Sequence, residues 1–149
     1  MKRSGIAVLL LMACSSTLLA QDRGFGIGVM AGSPTGLNGK LWVSAENAVD
    51  VGLAWSFVDE GYLHIHGDYL WHFPDVIRSS QRFVLYAGLG ARLGLGDDPR
   101  IGVRIPGGIE WWPRNTPLDV FLEVAPVLDL TPKTTFAFNG AVGIRFFFE

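Results

Sequence analysis

The stretch NGAVGIRFFFE, residues 139–149, decides how this chain is read. Apolar side chains recur at every second position, Val142, Ile144, Phe146 and Phe148, and between them stand Asn139, Ala141, Gly143 and Arg145. A period of two places the two sets on opposite faces of a β-strand. One face is wholly apolar and largely aromatic, whereas the other carries an arginine. The strand therefore separates two unlike environments, and the rest of the chain shows what they are.

Working back to Gly24, the sequence divides into eight segments of roughly ten residues with the same alternation, bounded by turn residues. They run 24–32, 35–43, 48–57, 62–73, 82–95, 100–112, 118–130 and 134–148, and the connections between them are rich in Pro, Gly, Asn and Asp. No stretch has a convincing helical period. Sorted by parity, one face collects residues such as Val51, Leu53, Leu89, Val103, Leu122, Phe138 and Ile144, with no charge among them. The other holds Lys40, Asp50, Asp68, Arg92, Arg104, Glu110, Glu123, Asp129 and Arg145, with His64, His66, His72, Asn139 and many glycines.

Two architectures share this pattern. A secreted lipocalin-like barrel turns the apolar face inward, and a transmembrane barrel turns it toward lipid around a polar lumen. A water-facing exterior should be dense in Lys and Glu, yet only Lys40 and Lys133 follow residue 20. Glycines beside long charged residues suit a narrow lumen, where a glycine leaves room for a side chain from the opposite wall. The expected fold is an all-β, eight-stranded antiparallel up-and-down transmembrane β-barrel. Trp71, Phe73 and Trp111 would form an aromatic girdle at one membrane interface and Trp55 and Phe57 at the other. Segments of ~9–11 residues suffice for a tilted crossing. The last strand must pair with the first, since hydrocarbon satisfies no open edge.

The beginning of the chain fits export. Lys2 and Arg3 precede the apolar run Gly5–Ala13 and a small-residue region, the pattern of a secretory signal peptide. Cleavage after Ala20 would give a signal peptide 1–20 and a single domain 21–149. The alternative is a lipobox at Leu11–Cys14, which Met12 fits poorly. Cys14 is the only cysteine, so a disulfide framework is excluded. Without Lys2 and Arg3 the 12 basic residues become 10 against 14 acidic ones, a net charge of −4 that does not suit a nucleic-acid partner.

The tail now carries a resemblance. Gly143, Phe146 and Phe148 are similar to the C-terminal assembly signal of bacterial outer-membrane β-barrels, with Ala141 where a polar residue is usual and Glu149 after the aromatic. Taken with the leader and the eight segments, the chain resembles small outer-membrane barrels of the OmpA/OmpX type. The resemblance implies residence in the bacterial outer membrane, contact with its lipid and lipopolysaccharide, and assembly by the barrel-assembly machinery.

Function is less constrained. The turns expected at the cell surface, SPT, VDEG, GDDP and TPK, are short for a loop-borne adhesin. An eight-stranded bore is filled by its own side chains, so the lumen charges read as a structural plug of ion pairs in an envelope-integrity protein; a small gated pore, and a secreted lipocalin-like binding barrel, are the alternatives. His64, His66 and Asp68 share a strand face with metal-ligand character and would need a further ligand from another strand. Hydrogen bonding to lumen carboxylates is the commoner use of such histidines, and no cofactor is expected. No serine–histidine–acid set faces the apolar side, and Gly88–Gly94 has the wrong spacing for a dinucleotide loop, so no enzyme is expected. Pro106 and Pro126 fall within strands, where a bulge or break, and a slip of parity beyond each, is expected.

Overall fold

The computed structural model describes residues 24–33, 35–56, 62–96, 99–131 and 133–148. Residues 1–23, Phe57 and Glu149 lie outside the described residues, as do parts of the turns named above. Nine strands follow one another: β1 (Phe25–Ser33), β2 (Gly36–Trp42), β3 (Asn47–Ser56), β4 (Tyr62–Phe73), β5 (Arg82–Leu95), β6 (Arg100–Arg104), β7 (Gly107–Trp112), β8 (Leu118–Thr131) and β9 (Thr135–Phe148). Every pairing is antiparallel, and β9 pairs with β1 from Phe25↔Phe148 to Ser33↔Gly140. The sheet thus closes into a ring. Both β6 and β7 lie between β5 and β8, one after the other, so nine strands occupy eight positions around it.

The break between β6 and β7 falls at Ile105–Pro106, as expected of a proline without a donor. The Pro106 carbonyl still accepts from Gly88 N at 2.9 Å, and Ile105 N donates to the Pro126 carbonyl at 3.0 Å. Pro126 itself causes no break, contrary to expectation: β8 runs through it, with Pro126 opposite Phe138. The register explains this. The donor that Pro126 lacks would point at Ile105, where the neighbouring ladder is already interrupted, so two prolines share one lesion. The bulge lies elsewhere: Ile101 faces Thr131 while Gly102 faces Asp129, leaving Leu130 unpaired on that side. Parity slips beyond neither proline, since Glu110 and Arg145 are both buried.

Alternation is carried around the whole ring. Outward strand positions of the described residues carry no Asp, Glu, Lys or Arg, whereas inward positions are buried or half-buried except toward strand ends such as Arg82, Arg100 and Thr135. The glycines inside make room differently from the expectation. What lies over each is the side chain directly across the ladder on the adjacent strand, not one from the opposite wall. Phe121 lies over Gly143, the His66 ring over Gly52, and Phe147 over Gly26. In this way a large residue on one strand leans sideways into space that its paired glycine vacates. Two apolar clusters result inside: Trp42, Ala48, Val84, Trp112 and Phe147 at the end where β1 begins and β9 finishes, and Met30, Ala54 and Phe121 farther along.

Candidate functional site

Between and beyond those clusters the interior is charged. Arg145 on β9 is the node: Nε donates to Asp119 Oδ1 at 3.0 Å, Nη1 to Asp50 Oδ2 at 2.9 Å, and Nη2 to Glu110 Oε1 at 3.5 Å. Its guanidinium also sits 4.0 Å over the Phe121 ring, a cation–π contact inside the ring. Lys40 on β2 pairs with Glu110 on β7, four positions away on a ring of eight, so this contact crosses the bore diametrically. Glu110 also accepts from Trp112 Nε1 at 3.0 Å. His72 completes the group. Its Nδ1 lies 3.0 Å from the Glu46 carbonyl, which can only accept, so Nδ1 carries the proton and Nε2, 2.8 Å from Lys40 Nζ, is left to accept.

A second group stands nearer the middle. Arg104 Nη2 donates to Glu123 Oε1 at 2.5 Å, and its Nε lies 3.1 Å from Asp68 Oδ1. Tyr86 donates its hydroxyl to Glu123 Oε2 at 2.7 Å. Toward the opposite end, Arg92 grips Asp129 with two bonds, 3.0 and 2.6 Å, and reaches Asn139 at 3.4 Å. Buried charges persist only when paired in this manner, because removing an ion from water costs several kcal/mol that its partners must offset.

All nine charges that parity collects, Lys40, Asp50, Asp68, Arg92, Arg104, Glu110, Glu123, Asp129 and Arg145, lie buried within the ring. Of the metal candidates, His66 and Asp68 come together and His64 stays outside their group; the added ligand atom belongs to Asp50 on adjoining β3. Trp55, Trp71, Phe73 and Trp111 are exposed on the outside, as are Phe146 and Phe148, while Gly143 faces inward beneath Phe121. Asn38, Trp42, Tyr86, Trp112, Asp119, Phe121 and Phe147 are also buried inside and carry no motif that marks them in the sequence. Parity alone would have placed each of them inside. Asp119 stands only one residue into its strand, and an aromatic side chain by itself is compatible with either face. Comparison with family models, with curated proteins and with solved structures finds no match.

Proposed function

We propose that this chain is a small integral outer-membrane β-barrel of the OmpA/OmpX type, eight-stranded in plan, whose interior is a structural plug and whose role is envelope integrity rather than catalysis. One observation carries the reading. The ring is inverted relative to a soluble protein: paired charges fill the inside, and among the described residues twenty-nine large apolar side chains are exposed, Phe138 at 65% and Phe136 at 60% among them. Soluble monomers rarely expose contiguous apolar patches above a few hundred Å², and this one encircles the molecule. Lipid is the solvent that suits it. A lipocalin-like carrier would need the reverse arrangement. In this reading residues 1–20 direct export, the barrel-assembly machinery engages β9, and lipid and lipopolysaccharide surround the outer face.

Cell fractionation tests the reading directly. The protein is expected in the outer membrane, migrating faster on a gel when unboiled than when boiled; recovery from the periplasm as a soluble protein would overturn it. Plug and pore are separated by conductance. The Lys40–Glu110 pair crosses the bore, and the Trp42, Trp112 and Phe147 side chains pack together inside it toward one end. Purified protein in planar bilayers is therefore expected to pass no steady current. Stable openings at low voltage would make it a small channel.

A further inference from the structure

The ion-pair network leaves one group inside the ring only partly satisfied. Asp50 on β3 stands directly opposite Asp68 on β4, and His66, two residues along the same face, lies over Gly52. Two carboxylates directly across a ladder repel each other, so something positive is needed between them. His66 Nε2 is 3.8 Å from Asp50 Oδ1 and 4.0 Å from Asp68 Oδ2. Those separations are too long for hydrogen bonds. They are close to the roughly 3.4 Å that separates two ligand atoms on a tetrahedral ion with bonds of ~2.1 Å.

Asp68 supplies a second, independent observation. Its side chain is wholly buried, yet neither carboxylate oxygen accepts a hydrogen bond. Arg104 Nε lies 3.1 Å away as a charge partner, without the angle of a hydrogen bond, and has no other acceptor. Both oxygens keep their lone pairs, in a place where leaving them unused is costly. Asp50 is held differently: Asn38 Nδ2 donates to its Oδ1 at 2.7 Å and Arg145 to its Oδ2 at 2.9 Å. Such bonds fix a carboxylate's orientation while leaving a lone pair for an ion, the usual role of outer-shell partners around a metal.

Charge balance points the same way. Among the described buried side chains there are six carboxylates, the five named with the first two groups and Asp129, against the four bases Lys40, Arg92, Arg104 and Arg145. Counted with every carboxylate ionised and the histidines neutral, the interior is short of two positive charges, and one divalent cation would supply both.

We propose that Asp50, His66 and Asp68 hold one divalent transition-metal ion of the zinc class, one imidazole and two carboxylates in the middle of the ring, with a fourth position open to water. The ion locks β3 to β4 at the only place where their inward carboxylates face each other. This site depends on the closed ring and not on which solvent surrounds it, so a failed fractionation test would leave it standing.

The test uses the whole chain, purified without a histidine tag, refolded in detergent with Zn²⁺ and desalted before elemental analysis. Wild type is expected to retain about one zinc per chain, and His66→Gln and Asp68→Asn to lose at least about tenfold of it. His64→Gln, outside the group, should retain the full equivalent. Cobalt-loaded wild type should show the visible absorption of a low-symmetry nitrogen-ligated ion, and His66→Gln should not. Folded wild type with no metal above the buffer blank would overturn the site and leave protons to balance the interior. Full zinc retention by both ligand variants would overturn it as well. The wild-type stoichiometry and cobalt spectrum need no variant, so a variant that fails to fold does not shield the proposal.

Discussion

Arg145→Met is expected to lower the unfolding free energy by about 3–5 kcal/mol, read as a shift in the urea midpoint of the folded, fast-migrating species. The size follows from what the guanidinium holds. Arg145 is 1% exposed and bonds Asp119, Asp50 and Glu110, which come from three other strands. Methionine preserves much of the volume and the contact with Phe121, so packing loss is small. Three buried carboxylates nevertheless lose a shared cation, and each is then desolvated with less compensation. Lys40 remains for Glu110, but Asp119 has no other bond partner among the described residues, and its second oxygen already has none. Arg92→Met is the comparison. Arg92 serves mainly Asp129, with a side chain 10% exposed, so water reaches the pair and the change should cost about 1–3 kcal/mol. If the two variants lose equal stability, Arg145 is not the centre of the network and the three-strand clamp is misread.

How much of this was legible beforehand varies with the physical origin of each feature. Face assignment was legible because a strand's period of two is a local property: Leu122 and Glu123, one residue apart, fall on opposite sides, and the nine charges could be collected strand by strand. Ring closure was legible only as a requirement that no edge stay open, which β9 and β1 meet. What depends on register was not legible. That Asp50 faces Asp68, and that Phe121 covers Gly143, follow from how far each strand is shifted against the next, and alternation carries no information about that shift. The same limit explains Pro126, which is harmless only because it stands opposite the break at Ile105. Partners across the bore are harder still. Lys40 and Glu110 are separated by 70 residues and by half the ring, so the sequence names two opposite charges without bringing them together. Aromatic runs are ambiguous for another reason. In Trp111-Trp112 and Phe146-Phe147-Phe148 the residue type suggests one environment, whereas alternation sends Trp112 and Phe147 inside, into the cluster with Trp42.

Leu122 and Glu123 also offer the sharpest test of which side faces lipid. Leu122 is 55% exposed, the fifth of the fourteen residues of β8, between Ile109 and Val142 on the flanking strands. Leu122→Arg would set a guanidinium against apolar neighbours on both sides, with no acid on the outward face to meet it. In a bilayer the expected cost is about 2–4 kcal/mol, since a charge near the midplane must thin the membrane or reach out of it. Glu123→Gln should be mild by contrast. Tyr86 can still donate to the amide oxygen, and Arg104 keeps Asp68 beside it. The measured quantity is the fraction of fast-migrating, membrane-assembled protein after refolding into lipid vesicles: strongly reduced for Leu122→Arg, near wild type for Glu123→Gln. Water outside the ring would reverse the order, because an added arginine on an exposed apolar surface would then raise solubility without harming the fold. An outcome in which Leu122→Arg folds better in plain buffer would turn the whole molecule from a membrane barrel into a soluble one with a charged core.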